Sequence, residues 1–253
     1  MNDFYVWHFR KWKRFLTIIV LALLVSVFLL SESNGTFSAF SSSDESAAFV
    51  KGNTKENNIA LTFNISWGEE KVYNILKQLK SHNVQATFFV SGEWAERHPD
   101  ILKKIKEGNH ELGMLGYRYK SYLDQEIEQV KKDMLYAKEI FGKKGYEHIT
   151  LMRAPSGQIN KDIIKMAESL GLKVIHWGVD ADDWENPGTK EIVDTVMKET
   201  SNGDIILLHA SDSVKQTAEA LDTILPGLKN KGFNFVTVSE LYNQAHPKAK
   251  LSE

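Results

Sequence analysis

The chain is 253 residues long, 42% hydrophobic and 25% charged, enough for one good-sized core and too short for two comfortable ones. Its formal net charge of -2 provides no basic field for collecting phosphates, which argues against nucleic acid as a partner. It contains no cysteine, so disulfides, thiolate metal sites and a cysteine nucleophile are excluded.

At the N-terminus, Arg10, Lys11, Lys13 and Arg14 stand directly before an uncharged run over 15–30. Positive charge stays on the cytoplasmic side, so residues 1–14 are expected inside and everything after Leu30 outside. The run rises about 24 Å as a helix, short of the roughly 20 residues that span a bilayer, so a cleaved signal peptide competes with a retained anchor. Small-x-small sites stand at Ser31-Glu32-Ser33 and Thr36-Phe37-Ser38. Snorkelling of the flanking Lys and Arg side chains favours the anchor. The expected location is the cell membrane, single-pass with the domain outside, or secreted if the segment is cleaved. Residues 31–57, rich in Ser, Asn, Gly and Glu without apolar periodicity, read as a flexible stalk.

From residue 58 a single globular domain is expected to run to 253. Apolar, β-rich stretches over 59–65, 86–90, 111–115, 149–153, 173–179, 204–209 and 233–238 are strand candidates. Amphipathic stretches over 69–80, 99–107, 125–141, 161–170, 190–200 and 214–230 read as helices. Strand and helix alternating throughout imply an α/β fold with parallel strands, either a barrel or an open doubly wound sheet. No Gly-rich phosphate loop follows the first strand, which disfavours a nucleotide-binding open sheet.

A parallel barrel places its active site at the C-terminal ends of the strands. Asn64 ends the first candidate strand, Arg153 the fourth, Asp180 the fifth and His209 the sixth, each followed by loop-like sequence. Four polar strand ends on one face point to a site. Asp182 and Asp183, beside Asp180, offer oxygens to a hard cation, but neighbours on an extended segment point opposite ways. His82, His98, His110, His148, His176 and His246 show no metal-like pairing and read as surface or strand-edge residues. Lys103, Lys104, Lys106, Lys131 and Lys132 read as solvated helix faces.

Leu61-Thr62-Phe63-Asn64, Glu111-Leu112-Gly113, Arg153-Ala154-Pro155-Ser156-Gly157, Asp180-Ala181-Asp182-Asp183-Trp184 and Leu207-Leu208-His209 resemble the five ordered motifs of the NodB-homology polysaccharide deacetylases, over about residues 58 to 242. Within that family the likeness is to sporulation members, through Phe4-Tyr5-Val6-Trp7-His8, the turn from Phe63 to Gly68, Ser91 to Pro99, and His209 to Ser213. The resemblance implies a deformed (β/α)7-8 TIM-like barrel with a sugar-binding groove, acting on peptidoglycan or another N-acetylated glycan of the spore wall.

The family's chemistry implies two aspartates after the first strand, a general base and a metal ligand, and two histidines four residues apart after the third. Alignment puts Asn64 at the base position and Ile65, Leu115 and Tyr119 at the metal positions. The family uses a divalent metal such as zinc; these substitutions imply none in this chain. An amide exchanges no proton in the needed range, so Asn64 forfeits the roughly 100- to 10,000-fold of a general base. The resemblance further implies that His209 protonates the leaving amine, that Asp180 orients that histidine or tunes its charge, and that Arg153 holds the base. Trp184 and Leu207 are expected to pack a sugar ring, with Pro155 and Gly157 of the third motif beside them and Trp67 and Trp94 as further aromatic candidates. Tyr117 and Tyr119 are expected to fill the vacated space.

Three readings follow: a degenerate deacetylase that binds glycan with little conventional activity, an active amidohydrolase working without the usual metal through His209 and Asp180, and a purely structural sporulation protein.

Overall fold

β1 (Asn58–Ile65) is buried at every residue after Asn58, as a central parallel strand requires; Ile59, Leu61, Phe63 and Ile65 share one face, and Ala60, Thr62 and Asn64 the other. In this computed structural model, which describes residues 47–247, β1 pairs in parallel with β2 (Thr87–Val90) on one side and β7 (Ile205–His209) on the other. Beyond β2 lie β3 (Glu111–Met114), β4 (Leu151–Met152) and β5 (Lys173–Val174); beyond β7 lies β6 (Val179–Asp180), and the short β8 (Asn234–Phe235) joins the start of β1. All these pairings are parallel. The sheet is the curled wall of a deformed (β/α) barrel, and its C-terminal rim carries the polar strand ends.

Among the described residues, eight α-helices flank the sheet: α1 (Lys71–Ser81), α2 (Gly92–Arg97), α3 (Pro99–Glu107), α4 (Ile127–Lys143), α5 (Lys161–Ser169), α6 (Thr189–Glu199), α7 (Thr217–Asn230) and α8 (Val238–Ala245). Each long one turns a single apolar stripe inward. In α4 that stripe is Val130, Met134, Ala137, Ile140 and Phe141, spaced by three and four residues as a helical face demands. Burying a Leu, Ile or Phe side chain contributes about 1.5–3 kcal/mol. On the helix-facing side of the sheet, Phe63 and Phe88 are register partners whose rings stack at 5.1 Å.

Several expectations are corrected. The strand read over 173–179 is broken into β5 and β6, because the chain leaves the sheet where the Arg153 guanidinium takes the carbonyls of Ile175 and His176 (3.4 and 3.0 Å). The stretch over 233–238 yields only the two-residue β8 before α8 begins, with a capping box between Thr237 and Glu240. The stalk read over 31–57 does not extend to residue 57. Phe49 bridges Ile175 and Lys51 bridges Asp204, so this segment closes the N-terminal end of the seam between β5 and β7. His110 is buried and its Nδ1 accepts the Ala86 N–H; it is not a surface residue. The basic segment 1–14, the hydrophobic run 15–30 and the stalk up to residue 46 lie outside the described residues. Among the described residues no helix is long and apolar enough to cross a membrane.

Candidate active site

Asn64 and His209 are register partners at the ends of β1 and β7, so their side chains emerge on the same face of the sheet. Both line a groove of about 410 Å³, together with Asp180, Tyr119, Trp184 and Leu207. Three of the four strand-end residues thus meet in one groove. Arg153 lies beneath it, fully buried.

Arg153 is satisfied entirely by neutral acceptors. Nη1 donates to Thr62 Oγ1 and to Asn64 Oδ1, each at 3.0 Å, and the guanidinium lies 4.1 Å from the centre of the Phe89 ring. Burial pulls its pKa down to about 9, opposed by the Asp180 charge, so it remains a cation at neutral pH. Because Asn64 turns its carbonyl oxygen to Arg153, the amide NH₂ is the group it presents to the groove. A hydrogen-bond donor stands where the resemblance implies a base.

His209 is oriented by Asp183. Its Nδ1 pairs with Asp183 Oδ1 at 2.7 Å, its backbone N–H donates to Oδ2 at 2.8 Å, and the Thr217 hydroxyl donates to the same oxygen at 2.6 Å. A carboxylate accepting Nδ1–H leaves Nε2 for a ligand. Asp183, and not Asp180, is thus the orienting group, while Asp180 acts on His209 through its charge. Asp182 is exposed and left-handed (φ 50°) whereas Asp183 is fully buried, so the two neighbours point opposite ways and share no cation, as the sequence leads one to expect. Asp180 instead lines the groove, its carboxyl raised above the usual range by burial and partly offset by the Asp182 N–H on Oδ1 at 3.1 Å.

The aromatic candidates divide. Trp67 and Trp184 are 63% and 54% exposed and both line the groove. Trp94 is fully buried and donates Nε1–H to the Gly68 carbonyl, so it holds a loop and offers no face to a sugar. Pro155 is buried under the rim, while Gly157 lines the groove and must be glycine: its φ is +73° and a Cβ would lie 2.2 Å from Trp177. Trp177 lines the groove, stacked on His176 at 3.8 Å, and had no sequence signal beyond its aromatic type. Tyr119 faces the groove, whereas Tyr117 packs edge-on against Tyr136 at 4.3 Å, with its hydroxyl 3.2 Å from Glu96. Tyr117 fills no vacated space there.

Residues 51–175 match the polysaccharide deacetylase family model. A peptidoglycan-N-acetylglucosamine deacetylase of Bacillus cereus is 36% identical over 191 residues, covering 74% of this chain and 89% of that protein. Listeria monocytogenes PgdA, a peptidoglycan-N-acetylglucosamine deacetylase, is 36% identical over 187 residues, or 74% of this chain; the chain spans 39% of that relative's length. The solved structure of BA3943 from Bacillus anthracis, a CE4 family pseudoenzyme, superposes with a TM-score of 0.74 at 28% identity, covering 79% of this chain and 70% of that one. A mutant of that pseudoenzyme with restored enzymatic activity superposes equally.

The expectation that no cofactor serves this chain is corrected, because relatives in the CE4 family are metal-dependent deacetylases. The side chains here do not fit such a metal. Ile65 and Leu115 are fully buried hydrocarbon with no lone pair to offer. Burial raises the Tyr119 phenol above its ordinary range, so it keeps its proton at neutral pH.

Proposed function

The chain belongs to the polysaccharide deacetylase family, and we propose that within it this protein engages the N-acetylated glycan of peptidoglycan with little conventional deacetylase activity. The observation that carries this reading is the Asn64–Arg153 pair. The amide at the base position is held by a buried guanidinium and turns a donor, not a base, toward the substrate. Such a donor binds an acetamido carbonyl or a sugar hydroxyl and cannot draw a proton from water. Two exposed indoles on the groove supply apolar faces for pyranose rings. The likeness to a family pseudoenzyme from B. anthracis supports the same conclusion. Action outside the cytoplasm behind an N-terminal anchor, in spore-wall maturation, belongs to the same proposal and rests on the N-terminal sequence and the resemblance to sporulation members.

A second reading is residual hydrolysis, favoured by the Asp183–His209 pair and by the raised carboxyl of Asp180 in the groove. His209 in that case gives its Nε2 proton to the leaving amine. The test is paired: binding of N-acetylglucosamine oligomers, and acetate release from them. We expect Trp184→Ala to weaken binding at least tenfold while His209→Ala leaves it nearly unchanged, because a group acting in the transition state lowers turnover and not affinity. Acetate release at rates ordinary for enzymes, about 1–1,000 per second, and unchanged by His209→Ala, would sink both readings.

A further inference from the structure

The connection between β7 and α7 holds both loops that carry the exposed tryptophans. On one side, the Asp212 carboxylate accepts the backbone N–H groups of Glu69, Glu70 and Lys71 at 2.9, 2.9 and 2.8 Å. The neighbouring Ser211 hydroxyl accepts the Ser66 N–H at 3.1 Å, and the Asp212 N–H donates to the Trp67 carbonyl at 3.3 Å. Gly68 makes this approach possible. Its φ is +78°, and a Cβ there would lie 2.2 Å from Asp212 Cγ. On the other side, the Asn186 amide donates to the Ser213 carbonyl at 3.1 Å, and its Oδ1 accepts the Lys215 N–H at 2.8 Å. Asn186 is itself left-handed (φ 56°).

A helix start is usually capped by the residue just before it. The residue in that position for α1, Glu70, makes no side-chain capping bond; the cap comes from Asp212, some 141 residues along the chain. A local cap would stabilise α1 equally well, so the distant one adds something else: it fixes the β1–α1 loop to the segment that follows His209. Trp67 and Trp184 are both largely exposed, so their ring positions depend on where the loop backbones are held.

We propose that the connection 210–216 is a clamp that positions Trp67 and Trp184 as aromatic walls of the glycan cleft, with Asp212 positioning the first and Asn186 the second. The ligand class, a chain of pyranose rings, rests on the glycan reading above. Holding both indoles before a ligand arrives removes the ordering cost that mobile loops would incur on binding.

Amide hydrogen exchange of the full chain reads the clamp without ligand, and tryptophan fluorescence titration with an N-acetylglucosamine tetramer reads its use. We expect Asp212→Asn to speed exchange at the amides of 69–71 by at least tenfold and to weaken tetramer binding at least fivefold. In a Trp67→Ala background the same substitution should add no further loss, a non-additivity that general loosening of the fold does not produce. Asn186→Gly keeps the left-handed backbone, removes all three side-chain bonds, the one to the Trp184 carbonyl at 3.3 Å included, and should behave likewise through Trp184. Unchanged exchange at 69–71 overturns the clamp whatever the titration shows. Faster exchange with unaltered tetramer affinity overturns the positioning role. If the unmodified chain does not bind the tetramer, the glycan reading fails and takes the positioning role with it, while the exchange arm still decides the clamp.

Discussion

Arg153 is the residue at which the cost of this site is concentrated. A guanidinium with no exposure, bonded to a hydroxyl, an amide oxygen and two carbonyls, is a buried charge without a contacting counter-ion. Such charges are costly to leave unpaired. Asn64→Asp places a carboxylate 3.0 Å from Nη1 with almost no change of shape, and we expect about 1–3 kcal/mol of added stability at pH 7. The sign follows from linkage: the cation lowers the new carboxyl's folded pKa, so the gain is full above the unfolded value of about 4 and lost as pH falls below it. Urea unfolding across pH reads it, and a variant less stable than its parent at pH 7 contradicts it. His110 acts in the same sense as a paired carboxylate, in a higher pH window. Burial lowers its pKa to about 4, and its Nδ1 must stay unprotonated to accept the Ala86 N–H. The unfolded chain therefore binds more protons between pH 6.5 and 4, and stability falls as pH drops through that window. His110→Gln, which keeps an acceptor, should flatten the part of the curve between about pH 6.5 and 5; an unchanged slope there would show that the imidazole does not titrate as described.

At the scale of elements, the most consequential is the segment around Phe49. It reads as stalk because its surroundings are polar, yet Phe49 bridges Ile175 and packs its ring against Tyr242 at 5.0 Å. Nearby, Lys51 reaches Asp204 at 2.8 Å. Phe49 is half-buried, so Phe49→Ala should destabilise the domain by about 1–3 kcal/mol, less than the loss of a fully buried aromatic, and lower its melting temperature; no change would return the segment to the stalk. A single edge contact of this kind has no period, so pattern reading cannot see it. The central strands β1, β2, β3 and β7 were legible because buried parallel strands are near-continuous apolar runs. The helix α8 carries a signal of its own, Thr237 and Glu240 at capping-box spacing, but the apolar run over 233–238 reads as a strand across its start. The role of Asp183 was hidden because nothing local says which of three nearby aspartates the fold turns toward His209, a pairing made across 26 residues of chain.

Across the whole molecule, the barrel brings together what the sequence scatters over nearly 150 residues: Asn64, Asp180 and His209 in one groove, with Arg153 beneath. The half of the site around His209 is built with care, through Asp183 and Thr217. The half around Asn64 holds an amide, and Ile65 and Leu115 contribute hydrocarbon. The central claim is that these substitutions, and not a fault elsewhere in the groove, limit chemistry. Its most direct test is acetate release from N-acetylglucosamine oligomers, with zinc supplied, by the unmodified chain and by a variant carrying Asn64→Asp, Ile65→Asp, Leu115→His and Tyr119→His together. We expect the variant to release acetate at least 100-fold faster, the lower end of what a general base alone contributes. Equal rates from the two proteins, with the unmodified chain turning over rapidly, would contradict it.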